Sequence, residues 1–483
     1  MLEEIVLEKT HILNISDFAR ERINYLLIHF CYFLCLISVM TFYFIIAEDQ
    51  TFIDSFFSAT SASTSTGLMT VDVSDFKIVS QVAILVAAIA GNGIVISLIP
   101  LIYRIFFIYR PKLNAPEVER RYAKLQIRAC CWIIFAVSVY SVSLILIAFF
   151  IYLVFYLDPR YVAAIYHVRD YSDFWFSTFY VINGFLNSGF SLLPDSLISL
   201  DTFFTPLLIQ MILILAGNTA FPIALRIIFA ILRFGIFPKD LALELIWKKS
   251  RSVYTHLFNS YDTFKLVASL IFLNIAQWGL ALSIDWDGPI YYGFTPFQKV
   301  YNAVFQSVSN RICGFTSLDL TQASLSVLIL YIGCMYVSVF PIALSVRGSK
   351  VAGPVRHEFH AISDRKNPLS ELRLMLFADL IVVFLGILAI AIFENAHLDH
   401  NRSDDYSFLR IVFEVVSAYG TVGLSLGFSD VPGVSFSYGM TTASKFLIIF
   451  LMLIGRHRGL PESDDPAITG ALFEEYTGEL DQF

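Results

Sequence analysis

The stretch NGFLNSGFSLLPDS, residues 183–196, lies between two long apolar runs, yet it is rich in glycine, amide and hydroxyl groups. The chain around it is strongly apolar: 57% of its 483 residues are hydrophobic, 15% are charged, and the mean hydropathy is +0.69. This composition predicts an integral membrane protein rather than a soluble globular one. At membrane depth, irregular polar backbone is tolerated only where it is buried in protein or lines a watery cavity.

Eight apolar runs are mostly long enough, at about 20 residues, to cross the hydrocarbon core as helices. They lie near residues 23–47, 78–103, 130–157, 203–225, 266–284, 323–346, 374–393 and 438–455. If both termini are cytosolic, the inner segments hold 25 of the 33 Lys and Arg residues. The positive-inside rule therefore predicts that both termini face the cytosol.

The outer segments repeat one pattern: a polar start, an aromatic-rich run, a small or hydroxyl residue, glycine, and Leu or Phe. The four stretches are DSFFSATSASTSTGLMTVD (54–72), SDFWFSTFYVINGFLNSGFSLLPD (172–195), TPFQKVYNAVFQSVSNRICGFTSLD (295–319) and DDYSFLRIVFEVVSAYGTVGLSLGFSD (404–430). Each is too short to span the membrane and return, so four of them at equivalent places predict re-entrant hairpins.

These patterns predict an all-α polytopic membrane protein of four tandem helix, re-entrant pore loop, helix repeats, with eight transmembrane helices around one pore. The repeats are predicted at 23–109, 130–235, 264–347 and 372–457. Between them we expect short cytosolic linkers at 110–129, 236–263 and 348–371. The remaining segments are a cytosolic N-terminus at 1–22 and an acidic tail at 458–483.

Each half-length helix needs partners for its first amide groups, and Asp54, Asp173, Thr295 and Asp405 are the predicted caps; Thr295 with Gln298 reads as a capping box. The other helix end points its carbonyl oxygens toward the membrane centre, where they favour a cation. A glycine follows each of these helices, and because it has no side chain, the extended backbone of all four repeats can approach one ion. The predicted selectivity filter lies near 64–68, 187–191, 310–315 and 420–425, with the residues Ser65, Thr66, Gly67, Asn187, Ser188, Gly189, Ile312, Cys313, Gly314, Thr421, Val422 and Gly423.

The chain resembles the Trk/Ktr/HKT potassium transporters, and most of all their fungal branch. The resemblance rests on FEVVSAYGTVGLSLGFSD, VFQSVSNRICGF, YVSVFPIALSVR, LAGNTAFPIALR and GRHRGLP, and it covers nearly the whole chain. It implies monovalent-cation uptake through one pore per chain, with no cofactor. Members with serine at the first filter glycine tend to pass sodium, so Gly67 favours potassium.

Two departures from the family pattern matter. Residues 104–128 are too short for the long cytosolic insert that fungal members usually carry. The third filter usually reads Thr-Arg-Thr-Ala-Gly, whereas here it reads Asn310-Arg311-Ile312-Cys313-Gly314, so two hydroxyl groups are missing. We expect conduction to persist through backbone carbonyls.

Four residues are candidates for pore electrostatics and gating. The resemblance implies that Lys445, inside the last apolar run, faces the pore below the filter; a snorkelling lysine is the alternative. Arg311 is interpreted as part of a buried ion pair with Glu414, against a direct effect on ions. Gly333 either allows a bend in the third inner helix or permits close packing.

The outer side offers further candidates. Asp72, Asp195, Asp319 and Asp430 follow the filter glycines and either concentrate cations at the mouth or are ordinary solvated loop residues. Asn401 opens an NRS glycosylation signal.

The sequence therefore predicts potassium uptake across the plasma membrane by a protein that is not an enzyme. A sodium-permeable or poorly selective channel is one alternative, and a non-conducting sensor or structural protein is another. The predicted partners are potassium ions, the lipid bilayer and further copies of the chain, as in dimeric or larger relatives. No nucleic acid and no cytosolic partner is indicated.

Overall fold

A computed structural model describes residues 25–108, 117–166, 171–337, 368–395, 406–428 and 431–458. Within these ranges the regular structure is helical, apart from one isolated antiparallel bridge between Phe428 and Val431. The predicted all-α class is confirmed, and each of the eight predicted apolar runs contains a helix.

The first two repeats share one order of elements, except that repeat 2 has an additional short helix, α6, before its pore helix. Repeat 1 consists of α1 (Tyr25–Glu48), pore helix α2 (Phe52–Thr64), α3 (Ile78–Gly91) and α4 (Gly93–Tyr103). Repeat 2 consists of α5 (Glu117–Phe155), α6 (Pro159–Tyr166), pore helix α7 (Asp173–Leu186), α8 (Phe204–Ala216) and α9 (Phe221–Ile231). A π-helical turn follows each inner helix, at Arg104–Ile108 and Leu232–Ile236.

The second half of the chain repeats the plan after two short linker helices, α10 (Leu241–Lys248) and α11 (Ser250–Val253). Repeat 3 consists of α12 (Ser260–Asp285), pore helix α13 (Pro296–Ile312) and α14 (Leu325–Val337). Repeat 4 consists of α15 (Pro368–Phe393), pore helix α16 (Phe408–Gly420) and α17 (Thr442–His457).

Length and composition make the chain a multi-pass membrane protein. Four single helices are long and apolar enough to cross a bilayer, at Leu27–Glu48, Ala123–Phe155, Ser260–Asp285 and Leu376–Phe393. Two bent pairs, α3 with α4 and α8 with α9, raise that number to six within the described residues. Large apolar side chains such as Ile46, Phe272 and Phe377 are well exposed on the outer surface, as expected where lipid replaces water.

The four repeats pack in a closed cycle. The inner helix of each repeat, the one that follows its pore loop, packs against the pore helix of the next repeat: α3 against α7, α8 against α13, and α14 against α16. The last inner helix, α17, packs against α2 of the first repeat. The four pore helices therefore surround one axis.

The inner helices of repeats 1 and 2 are broken, whereas the sequence predicted continuous spans. Their halves meet at 54° and 79°, and each break follows an Ala-Gly-Asn motif, at Ala90–Asn92 and Ala216–Asn218. A Cβ atom on Gly91 would lie 1.6 Å from the backbone oxygen of Ser63, and one on Gly217 would lie 1.7 Å from that of Phe185. Each break thus lies where an inner helix touches the end of its own pore helix.

Polar groups satisfy the backbone at these breaks. Tyr32 of α1 and Tyr140 of α5 donate hydrogen bonds to the carbonyl oxygens of Ala90 and Ala216, both at 2.9 Å. Asn92 caps the second half-helix and also donates to the carbonyl oxygen of Leu186, at 3.3 Å. A break in a membrane helix leaves backbone groups without their helical hydrogen-bond partners. Side chains must supply those partners, because lipid has no hydrogen-bonding groups at this depth.

Candidate ion-selectivity filter

The pore helices begin at hydroxyl caps. Thr51, Ser172, Thr295 and Ser407 are the N-cap residues of α2, α7, α13 and α16. The predicted caps at Asp54 and Asp173 are wrong, because a serine or threonine just before the helix takes that position and the aspartates lie in the first turn, where the helix dipole favours a negative charge. Asp405 lies outside the described residues.

The predicted capping box at Thr295 is confirmed. Gln298 Oε1 accepts a hydrogen bond from the Thr295 amide at 2.8 Å, and the Thr295 hydroxyl accepts one from the Gln298 amide at 3.4 Å. Two amide groups at the start of α13 are therefore satisfied by this reciprocal pair.

Three pore helices end in the same left-handed turn. Ser65, Asn187 and Thr421 have φ values of +53°, +56° and +48°. The amide of the following residue then bonds to the carbonyl five positions earlier, at 2.9–3.1 Å, as in a Schellman motif. These amides belong to Thr66, Ser188 and Val422.

Next come Gly67, Gly189 and Gly423, with φ values of +98°, +69° and +88°. A residue with a Cβ atom would be strained in this left-handed backbone. Three predicted filter segments therefore share one backbone conformation.

The third segment departs from this conformation. Its pore helix α13 continues through Ile312, and the Cys313 amide still bonds to the carbonyl oxygen of Ser309 at 2.8 Å. Cys313 is extended, with φ −148°, and Gly314 is not among the described residues with positive φ. Ile312 occupies the place that Ser65 and its counterparts hold, and a β-branched residue strongly disfavours the left-handed region. Ile312 is therefore helical.

The four glycines form a ring. A Cβ atom on Gly67 would lie 2.4 Å from a backbone oxygen of segment 2, and one on Gly189 would lie 2.6 Å from the nitrogen of Gly314. A Cβ atom on Gly314 would lie 2.8 Å from the oxygen of Gly423, and one on Gly423 would lie 1.7 Å from a backbone oxygen of segment 1. Each segment therefore faces the next in the order 1, 2, 3, 4 and back to 1, with no room for a side chain.

A cavity of about 260 Å³ opens on the outer side of this ring. All four glycines of the predicted filter line it, together with Asp195 and Asp319. Both carboxylates also accept backbone hydrogen bonds: Asp195 from Ser199 at 2.8 Å and Asp319 from Thr321 at 3.0 Å. Their capping role and their place at the mouth are therefore compatible.

The other predicted mouth residues differ. Asp72 is not part of the cavity lining; it caps a short 3-10 helix through the Ser74 amide, at 2.8 Å. Asp430 lies outside the described residues. Asp201, which the sequence did not single out, lies near Asp195, and burial, with a smaller contribution from that negative neighbour, raises the pKa of Asp201 to about 6.

The structure corrects the position of Lys445. Because α17 begins only at Thr442, Lys445 lies in its first turn, beside the start of pore helix α2, and not below the filter. Its Nζ atom lies 3.0 Å from Asp54 Oδ1. Two arginines, Arg456 and Arg458, lie at the other end of α17, and Arg456 donates a hydrogen bond to the backbone oxygen of Gly91 at the first helix break. The motif GRHRGLP contains Arg456, but nothing in the residues alone gave it a role.

The predicted ion pair between Arg311 and Glu414 is absent from the described part of the chain. Glu414 is fully buried and accepts from the Ser437 amide and hydroxyl, at 3.0 and 2.6 Å. The Nη atoms of Arg311 are buried with no hydrogen-bond partner among the described residues, and they lie within electrostatic range of Cys334. The two pore helices turn these side chains toward different neighbours.

Two candidates from the sequence, Gly333 and Asn401, remain. Gly333 is helical, and no described atom outside its own helix lies within 4 Å of a Cβ atom built on it, so neither a bend nor close packing is seen there. Asn401 lies outside the described residues.

Four half-length helices that end at one glycine ring inside an apolar bundle define a class: polytopic membrane proteins with four re-entrant pore segments around one axis. A profile of the TrkH family, described as "Cation transport protein", matches residues 24–473. The chain therefore belongs to the TrkH family.

One solved structure resembles the fold of this chain, and curated relatives resemble its sequence. The crystal structure of the potassium transporter TrkH from Vibrio parahaemolyticus matches with a TM-score of 0.54 at 14% identity, over 90% of this chain and 82% of that one. "Potassium transport protein 1" of Schizosaccharomyces pombe is 37% identical over 304 residues, which are 61% of this chain and 36% of that protein. The "Low-affinity potassium transport protein" of Saccharomyces cerevisiae is 33% identical over 339 residues, covering 62% and 38%. The chain spans well under half the length of these relatives.

Proposed function

We propose that this chain conducts potassium ions into the cell across the plasma membrane, driven mainly by the membrane potential. The closed ring of the four glycine segments carries the proposal, because it brings backbone from all four repeats to one axis. The curated relatives whose names describe potassium transport support the choice of ion.

The chemistry is that of a dehydrated cation among carbonyl oxygens. The ends of the four pore helices point partial negative charge toward the ring, and the backbone there replaces the ion's lost water. Potassium is the cargo, and no cofactor is needed for this step. Asp195 and Asp319 raise the local cation concentration at the outer cavity.

The driving force is sufficient for uptake. A potential of 100 mV is worth about 2.3 kcal/mol for each charge, which supports an accumulation of roughly fortyfold. The charge distribution supports cytosolic termini. We further propose that copies of the chain associate as dimers or larger assemblies, each copy keeping its own pore.

A sodium-permeable or poorly selective channel is the second candidate. It is favoured by the third segment, where Ile312 is helical and the left-handed turn of the other three segments is missing. A ring with one unlike segment supplies a less regular set of oxygens, and that can weaken discrimination between ions.

Growth of potassium-uptake-deficient yeast on low potassium tests the proposal. The native chain should rescue growth, and Gly189→Ala should not, because its Cβ atom would collide with Gly314. Gly235→Ala is the matched control, since no described atom lies within 4 Å of the Cβ atom built there. Rescue that fails for the native chain, or that persists in Gly189→Ala, would refute potassium entry through this ring. Rescue that added sodium suppresses would favour the second candidate.

A further inference from the structure

One buried polar cluster touches the inner end of the fourth filter segment. Tyr419 is the penultimate residue of pore helix α16, two positions before the left-handed Thr421 and four before Gly423. Tyr419 is 1% exposed. It is joined to the glycine ring by a very short stretch of backbone.

The side chain of Tyr419 is held on two sides. Its hydroxyl donates to Asp379 Oδ1 at 2.6 Å, and the guanidinium carbon of Arg458 lies 4.3 Å from the centre of its ring. Arg458 donates through Nε and Nη2 to the other carboxylate oxygen, Oδ2, at 3.2 and 2.9 Å. One carboxylate thus fixes both the tyrosine and the arginine, and the arginine also stacks on the tyrosine.

The cluster joins three elements of repeat 4 to one of repeat 3. Asp379 belongs to α15 and Arg458 directly follows α17. Arg458 Nη2 also approaches the backbone oxygen of Tyr336, at the end of α14, at 3.4 Å. The ion pair is well buried, with side-chain exposures of 4% for Arg458 and 15% for Asp379. Removing one partner of such a buried pair would leave the other charge uncompensated, so the two side chains hold each other in place.

The corresponding positions in the other left-handed segments lack such an anchor. Two residues before Ser65 and Asn187 stand Ser63 and Phe185. The Ser63 hydroxyl has no hydrogen-bond partner among the described residues, and phenylalanine has no polar atom to hold. Segment 4 also lies between segment 1 and the irregular segment 3, where the Gly423 oxygen faces Gly314. The anchored segment is therefore next to the one that lacks the left-handed turn.

We propose that Asp379 and Arg458 are positioning residues that set ion discrimination by clamping Tyr419, and through it the carbonyl oxygens of filter segment 4. The inference rests on the proposed function. Its physical basis is that discrimination between ions of similar size depends on how firmly the coordinating oxygens are held and how many reach the ion. Loss of the clamp loosens one of four segments and leaves the ring closed.

The test compares rubidium and sodium flux into proteoliposomes for the native chain, Tyr419→Phe and Tyr152→Phe. Tyr152 is the matched control: it is fully buried, and its hydroxyl donates to Pro206 and Gln210 between α5 and α8. In Tyr419→Phe the rubidium-to-sodium ratio should fall about fivefold or more, as expected when a hydrogen bond to a charged group is lost, while total flux persists. Its thermal midpoint should shift no more than that of Tyr152→Phe.

Two further variants separate positioning from simple destabilisation. Asp379→Asn should lower the ratio as Tyr419→Phe does, and Arg458→Lys, which keeps the charge but loses the planar fork, should fall between these and the native chain. An unchanged rubidium-to-sodium ratio in all three variants, or an equal fall of that ratio in Tyr152→Phe, would overturn the inference. If the native chain still conducts, that result leaves the proposed function intact. Absence of flux in the native chain would refute the proposed function and this inference with it.

Discussion

The ion pair between Lys445 and Asp54 should stabilise the contact between the last repeat and the first. It joins the last inner helix, α17, to the first pore helix, α2, across a distance of 3.0 Å. The side chains are 12% and 20% exposed, so solvent screens them only partly. At an effective dielectric constant of about 20, this separation corresponds to an attraction of about 5–6 kcal/mol, and desolvation offsets part of it. A net coupling of about 2–3 kcal/mol remains as the expected value.

A double-mutant cycle measures that coupling. Lys445→Met and Asp54→Asn should each lower the free energy of unfolding by about 3 kcal/mol, because each leaves one charge without its partner. The double variant should lose about 2–3 kcal/mol less than the sum of the two. The free energy of unfolding of each variant is measured by denaturant titration in detergent micelles. Lys299→Met is the control: Lys299 lies in the first turn of α13, is half-buried, and is bonded to the Trp286 carbonyl oxygen and not to a carboxylate, so its change should stay below about 1 kcal/mol. Strictly additive losses in the cycle would refute the reasoning.

Local contacts at three further residues, Thr295, Gly91 and Asp201, lead to other predictions. Thr295→Ala removes half of the capping box and should lower the free energy of unfolding by about 1 kcal/mol in the same titration. Gly91→Ala places a Cβ atom 1.6 Å from the Ser63 carbonyl oxygen and should abolish the folded peak in size-exclusion chromatography, while Gly235→Ala keeps it. Asp201, with its pKa raised to about 6, should lose its charge as the outer pH falls from 7 to 5, so cation uptake should decline over that range, and Asp201→Asn should remove the decline. The raised pKa also means that the folded state binds a proton at Asp201 more tightly than the unfolded state does. The free energy of unfolding should therefore increase as the pH falls through about 6, which denaturant titrations at several pH values would measure.

The sequence was most informative about features that depend on residues close together in the chain. The four glycines could be aligned because all four approach a neighbouring segment closely and three of them have the left-handed backbone that glycine alone adopts without strain. The Thr295 capping box could be predicted because its two partners are three residues apart. The apolar runs indicated the helices because span length follows from membrane thickness.

The sequence was least informative where distant segments meet. The breaks after Gly91 and Gly217 depend on contact with the pore helices, although the repeated Ala-Gly-Asn motif was a usable signal. Lys445 was placed too deep because the short turn that delays the start of α17 has no strong pattern of its own. The partners of Arg311 and Glu414 depend on helix rotation, which apolar periodicity does not determine for a helix buried on all sides.

The central claim is that the four-glycine ring conducts and discriminates cations. Its most direct test is rubidium and sodium flux into proteoliposomes under an inside-negative potential, for the native chain and for Gly67→Ser. The native chain should take up rubidium faster than sodium, and the serine, which at φ +98° would press on a backbone oxygen 2.4 Å away, should narrow that preference. Potential-driven flux of neither ion, or an unchanged preference in Gly67→Ser, would contradict the account.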